Sequence, residues 1–414
     1  MSSIRTSLGI ALLLCSALLL TAGPRVQTTV DLSADAARQV VIAQGTPTVY
    51  QGHPTTVLLP DGKTMYCVWT YEHGGFCGPM KRSDDGGLNW SSLLPVPESW
   101  RSVVDCPTIF RLADPEGKYR LVVYTGGGPD GSMYRAHSED DGRSWTEMES
   151  THLPTSPSTD HISMRGGMPF TTVVPIHGGR ALLGMTNIRR PRQLFETKVA
   201  VTAGSQTWEP WKIKVALPRE IKTNILAQSI STDGGLTWAP WTIALDLPDV
   251  NASEPWIIRS PDGKELLCLI RENGTRVSLQ MISTDEGNTW SKPVPLPPGL
   301  YGDRHVARYA ADGRLVICFR DTGRDSATKD HFIAWVGSYD DIKSMREGQY
   351  RIKLLHSHNG SDCGYPGLEL LPDGTFVATT YVKYRPGPER SSVVSVRFKL
   401  AETDRLAQLS AGIR

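Results

Sequence analysis

The chain has 414 residues and a net charge of +1, with 44 basic against 43 acidic side chains. That balance excludes the strong positive field that holds nucleic acid or an anionic membrane surface, and leaves a small molecule, a glycan or a protein as partner. Plentiful Gly and Pro, 11 Trp and the lack of a long amphipathic helical stretch favour many short strands joined by tight turns.

Residues 1–23 read as a secretory signal peptide: Arg5 supplies the positive end, "LGIALLLCSALLL" the apolar stretch and "TAG" at 21–23 the small-residue cleavage site. The apolar run is too short to span a bilayer comfortably. The mature protein is therefore expected to be secreted or periplasmic, with no stable membrane insertion after signal removal. Cys67, Cys268 and Cys318 lie in apolar strand-like runs, where a thiol serves as a small buried hydrophobe, and no disulfide framework is expected.

From His53 onward the chain repeats one pattern, an apolar strand, an Asp-Gly or Gly-rich turn and a second apolar strand. The copies are "HPTTVLLPDGKTMYCVW" from His53, "DCPTIFRLADPEGKYRLVVY" from Asp105, "GGMPFTTVVPIHGGRALLGM" from Gly166, "EPWIIRSPDGKELLCLI" from Glu254, "RHVARYAADGRLVICF" from Arg304 and "YPGLELLPDGTFVATTY" from Tyr365. Asp-Gly between apolar, β-branched runs is a strong hairpin signal. A second repeat, Ser-x-Asp-x-Gly-x-(Thr/Ser/Asn)-Trp, follows these hairpins: "SDDGGLNW" from 83, "SEDDGRSW" from 138, "STDGGLTW" from 231 and "STDEGNTW" from 283, with a decayed copy "SYDDIKSM" from 338. The gap before the third box holds a weak copy, "VTAGSQTW" at 201–208, and so conceals either an insertion or a seventh unit.

Units of about four strands repeated in this way predict an all-β, six-bladed β-propeller spanning 37–400, followed by a tail at 401–414. The last unit lacks an outer strand, which "ARQVVIAQ" at 37–44 can supply. The aspartates of the boxes recur once per blade, so they are read as turn formers, with Gly taking positive φ and Trp plugging the space between strands.

In a propeller, the heads of the first strands and the tails of the second converge on one face of the central channel. The heads carry His53, Asp105, Arg165, Glu254, Arg304, His305, Asp362 and Tyr365; the tails carry His73, Arg271, Arg320 and Tyr381. Arginines, histidines, carboxylates and a tyrosine at one funnel mouth suit binding and chemistry on a polar, anionic ligand. No His-Glu-x-x-His metal motif and no phosphate-cradling glycine loop occurs, so neither a metal nor another cofactor is implied.

The boxes, the stretch "NASEPWIIRSPDGKELLCLIRENGTRVSLQMISTDEGNTW" and the late "GYPGLELLPDG" resemble the sialidase (neuraminidase) superfamily of six-bladed propellers. The resemblance implies that Glu254 activates Tyr365 as nucleophile and that Arg271 is the middle one of three arginines gripping a sugar carboxylate. It also implies a secreted, glycan-active retaining exo-glycosidase. Three features depart from the family: His53 stands where the first arginine precedes Pro, "EHGGFCGPMKRS" lacks the expected aspartic acid, and "ATKDHFIAW" offers only Lys329 and His331 where the third arginine is expected. Arg304, Arg320 and Arg165 are the alternative cations, and His53, His73 or Asp105 the alternative acid or base. A polysaccharide lyase or His-dependent glycosidase, and a non-catalytic glycan-binding propeller, are the competing readings.

Overall fold

The structure, a computed structural model, describes residues 27–412 apart from 129–131, 152, 155–167, 190–194, 200–201, 204–205, 208–210 and 216–222. Six of the eight sheets among the described residues form a ring, the blades of a six-bladed propeller. The first strands of blades 1 to 6 are Gln51–Leu58, Thr108–Ala113, Thr172–Ile176, Ala252–Arg259, Gly302–Tyr309 and Cys363–Leu370. Each pairs antiparallel with the strand that follows its turn. At the Asp-Gly turns the glycines take φ of 72° at Gly62, 77° at Gly263, 83° at Gly313 and 81° at Gly374, a region that carries no penalty without a Cβ.

The apolar alternation of the strands fills the gaps between blades. Leu121, Val123, Tyr66 and Trp100 lie between blades 1 and 2, Tyr124, Phe170 and Trp238 between 2 and 3, and Leu183, Met185, Leu266 and Cys268 between 3 and 4. Leu267, Phe319 and Trp335 fill the next gap, Phe332, Phe376 and Phe398 the one between 5 and 6, and Cys67, Trp69 and Val393 the one that closes the ring.

Closure uses the N-terminal segment. Strand Gln39–Ala43 pairs antiparallel with Ser392–Lys399 as the outer strand of blade 6. Ahead of it, Thr29–Asp31 adds a fifth, parallel strand to blade 5 against Tyr350–Leu355. The segment after 400 is a helix, Leu400–Gly412, tied to the ring through Arg314 to Asp404 and Arg38 to Glu402. The long gap in the third unit is an insertion: Ala181–Arg189 pairs directly with Asn224–Ser231, and the intervening chain contributes two separate two-stranded sheets.

The boxes are clasps between blades. In the box of blade 3, Ser231 Oγ donates to Asp233 Oδ1 (2.8 Å) and accepts from Gly235 N (2.9 Å), while Asp233 accepts from Thr237 N (2.9 Å). The turn so shaped presents carbonyls to the preceding blade: Tyr124 Oη donates to Gly235 O (2.6 Å) and Arg135 Nε to Leu236 O (2.6 Å). Tyr66 does the same for the box of blade 2, at Asp141 O (2.8 Å), and Gln228 for that of blade 4, at Gly287 O (2.7 Å). The decayed copy folds instead as a helical turn, Tyr339–Lys343, capped reciprocally by Ser338 and Asp341, yet Gln280 still reaches its Ile342 carbonyl (2.7 Å). Register puts the boxes at the face opposite the predicted mouth, since Ser231 lies across from Leu182 whereas the other end of the same pair joins Asn224 to Arg189.

Candidate active site

The mouth is built by strained backbone at the heads of the inner strands. His53, Asp105, Cys106, Glu254, Arg304 and Tyr365 have φ of 47°, 71°, 32°, 49°, 57° and 53°. In blades 1, 4, 5 and 6 the ladder shifts register at these points. Pro54, Pro107, Pro255 and Pro366 follow four of these residues; a proline cannot donate to a ladder and so sits readily at a bulge. A bulge re-aims one side chain out of the strict alternation of a strand, at a backbone cost of order 1–3 kcal/mol per residue. Met168, with its Pro169, holds the corresponding place in blade 3 and packs against Tyr50, Cys106, Tyr365 and Tyr381.

At the centre, Tyr365 Oη donates to Glu254 Oε1 at 2.6 Å, and Arg271 Nη1 donates to the same oxygen at 2.9 Å. Asn187 Oδ1 accepts from the Glu254 amide (2.9 Å) and holds the bulge. Glu254 is 3% exposed and Tyr365 8%. Burial pushes the Glu254 carboxyl up, but Arg271, Arg304 and the Tyr365 hydroxyl outweigh it and hold the group down at about 2. Burial and the neighbouring Glu254 charge push the Tyr365 phenol well above its ordinary value. The pair therefore rests as carboxylate and neutral phenol.

Asp303, which the sequence reading overlooked, organises the arginines. It is 2% exposed, and it lies 2.9 Å from Arg271 Nε and 3.1 Å from Arg320 Nε, with Arg276 at 3.3 Å. Arg320 is further fixed by donating to the carbonyls of Ser361 (2.6 Å) and Cys363 (2.9 Å). Two of the expected substrate-binding cations are thus already paired. Arg304 is not: it is 2% exposed, its guanidinium lies 5.5 Å over the Tyr365 ring, and its Nε and Nη1 have no hydrogen-bond partner among the described residues. The cross-strand register that sets Asp303 opposite Arg320 was the signal available for finding Asp303.

On the other flank His53 lies 4.2 Å from Tyr365 and 4.4 Å from His73, ring to ring. Burial, then His73, hold its imidazole down at about 3, so it is neutral. Cys106 Sγ is 3.1 Å from His53 Nδ1, and Asp105 joins them, with ligand atoms of all three within 4.8 Å of one another. Burial raises the Asp105 carboxyl. Asp362 accepts from Tyr50 Oη (2.7 Å) and Asn359 Nδ2 (3.0 Å) and faces the exposed His73 at 3.6 Å.

Most of the expected residues therefore converge. His305 does not, because the residue after the bulge turns away: its Nε2 lies 2.8 Å from Leu300 O and its ring packs on Phe319 in the gap between blades 4 and 5. Glu272 and Asp321, at strand tails, cap their own loops through Gly274 N (2.9 Å) and Gly323 N (2.9 Å). Arg165 lies outside the described residues. Tyr381, one of the strand-tail candidates, lies at the site against His53 and Tyr365, and Tyr50, Asn187 and Met168 join it without having been expected to act there.

No protein-family model and no curated protein matches the chain. Among solved structures, it is similar to a protein of unknown function from Dyadobacter fermentans, with a TM-score of 0.62 at 16% identity over 87% of this chain and 98% of that one. It is also similar to the NanB sialidase from Streptococcus pneumoniae, with a TM-score of 0.53 at 12% identity over 88% and 71% of the two chains. A Hadza microbial sialidase gives a TM-score of 0.53 at 14% identity over 85% and 66%. At such identities the likeness is one of fold.

Proposed function

The fold is that of a sialidase-like six-bladed propeller, and from that premise we propose that the protein is an exported, glycan-active retaining exo-glycosidase acting on an anionic sugar. The observation that carries this reading is the 2.6 Å hydrogen bond from Tyr365 Oη to Glu254 Oε1 in a buried pocket walled by arginines. A neutral phenol is a poor nucleophile until its proton has an acceptor, and the Glu254 carboxylate is that acceptor. In the first step Tyr365 Oη bonds to the anomeric carbon as Glu254 takes its proton, and the bond to the leaving oxygen breaks. Asp105, with its raised carboxyl, gives that oxygen a proton. Water, deprotonated by Asp105, then releases the sugar from Tyr365, which recovers its proton from Glu254. Tyrosine suits an anionic substrate because it does not bring a second carboxylate against the sugar's own. The unpaired N–H groups of Arg304 support a carboxylate on the substrate. Export rests on the N-terminal signal; among the described residues, no helix is long and apolar enough to cross a membrane.

A second reading is supported by His53, a buried neutral imidazole whose Nε2 has no partner among the described residues and whose ring lies against Tyr365. It would serve as the base of a lyase on a uronate polysaccharide, with Tyr365 as acid. Defined glycosides and uronate polysaccharides, followed by reducing ends and by the absorbance of unsaturated products, separate the two. Tyr365→Phe should remove hydrolysis by on the order of 10⁴-fold or more while retaining ligand binding. An unchanged rate in Tyr365→Phe refutes the nucleophile assignment, and unsaturated products abolished by His53→Ala establish the lyase.

A further inference from the structure

We infer that His53, Asp105 and Cys106 form a binding site for one thiophilic divalent cation, of the Zn²⁺ class, in the wall of the channel mouth. The three residues come from the heads of two neighbouring blades, and their donor atoms lie within 4.8 Å of one another, with His53 Nδ1 3.1 Å from Cys106 Sγ. All three occupy left-handed backbone, which is costly for residues bearing a Cβ and here turns each side chain toward the same point. With the ion bound Asp105 is a ligand and not an acid, so the glycosidase cycle proposed above belongs to the metal-free protein.

Charge favours the cation. His53 and Cys106 are each only 2% exposed, and a thiolate and a carboxylate can coexist at such a buried site only with a counter-charge, which a divalent ion supplies. A divalent ion with one thiolate, one carboxylate and one neutral imidazole makes a complex of zero net charge. On binding, the Cys106 proton leaves to solvent and a sulfur–metal bond replaces the S–H bond. The mixed thiolate, imidazole and carboxylate set selects Zn²⁺ and its neighbours over Mg²⁺ or Ca²⁺, which prefer oxygen. Three protein ligands leave the fourth position of a tetrahedron for water or a substrate oxygen, the arrangement of reactive rather than structural zinc. Spacing motifs could not find this site, because its ligands are brought together only by the packing of blade 1 on blade 2.

Co²⁺ titration of the metal-stripped, folded protein provides the test, with Zn²⁺ competition against a chromophoric chelator. The expected result is one equivalent of Co²⁺ with a thiolate-to-cobalt charge-transfer band in the near ultraviolet, displaced by Zn²⁺. Cys106→Ser should lose the band and at least about 100-fold in Zn²⁺ affinity, since loss of a direct ligand should exceed the effect of losing an outer hydrogen bond. Asp105→Asn, which removes a direct ligand but keeps the thiol, should likewise weaken Zn²⁺ by at least about 100-fold while retaining the band at saturating Co²⁺. Tyr365→Phe should leave both readouts unchanged, so metal binding is scored separately from the glycosidase reading. A folded wild-type protein without the band, or a band that survives in Cys106→Ser, overturns the site.

Discussion

Asp303→Ala should be the most damaging single change at the mouth that touches no proposed reacting atom. Asp303 is 2% exposed, lies 2.9 Å from Arg271 Nε as its ion-pair partner and accepts from Arg320 Nε at 3.1 Å. Its removal leaves two buried guanidiniums with less compensation than they have now. Arg271 keeps Glu254, and Arg320 keeps two backbone carbonyls. Breaking a buried pair from one side costs about 3–5 kcal/mol, chiefly through the charge left behind. With about 2.1 cal/mol/K of unfolding entropy per residue, a loss of ~4 kcal/mol in a propeller of this size lowers Tm by roughly 5 °C. Calorimetry at neutral pH reads this directly. The double variant Asp303→Ala/Arg320→Met should recover part of the loss, because it removes one of the stranded charges as well. A fall in Tm under about 1 °C, or strict additivity in the double variant, would show that Asp303 is not the counterion of the arginines.

Other expectations concern the clasps and the titrating groups. Trp238 is buried against Phe170, with ring centroids 4.2 Å apart, so Trp238→Ala should cost ~3–5 kcal/mol; the half-buried Trp290 should cost roughly half as much, and equal losses in denaturant unfolding would contradict this. In the hydrolase reading the acid form of Asp105 is required and its carboxyl is raised, so kcat/KM should fall as pH rises through that raised value; Asp105→Asn should abolish this limb. Glu254 is held at about 2, below its unfolded value, so its contribution to stability is complete above the ordinary carboxylate range and is lost as pH falls toward 2. Glu254→Gln should accordingly lose less Tm on acidification than the wild type does, and an identical loss would refute the assignment.

How far the sequence reaches can be judged residue by residue. Period-two alternation, Asp-Gly turns and the Trp boxes are local signals, because each specifies its own few residues' backbone and one apolar face. Counting them predicts the blades, their order and the pairing of Gln39–Ala43 with the last one. Propeller geometry then places Glu254, Tyr365 and Arg271 at one mouth, where the structure has them within 2.9 Å of each other's partners. Thr29–Asp31 escaped notice because three residues added parallel to an outer edge carry no turn signal and little pattern.

What the amino-acid sequence determined by itself is thus the repeat, the turn chemistry and the set of residues at strand heads and tails. Tertiary structure alone decided what those residues meet. Arg304 and His305 are adjacent in sequence, yet the bulge sends one over the Tyr365 ring and the other into the gap against Phe319. Asp303 looks like any strand residue until Arg271, from the preceding blade, arrives beside Arg320. His53 and Cys106 become neighbours only when blades 1 and 2 pack. The physical reason is range: alternation and turns are written within about ten residues, whereas contacts at the mouth join side chains from different blades and depend on ring closure and on strained backbone that closure sustains.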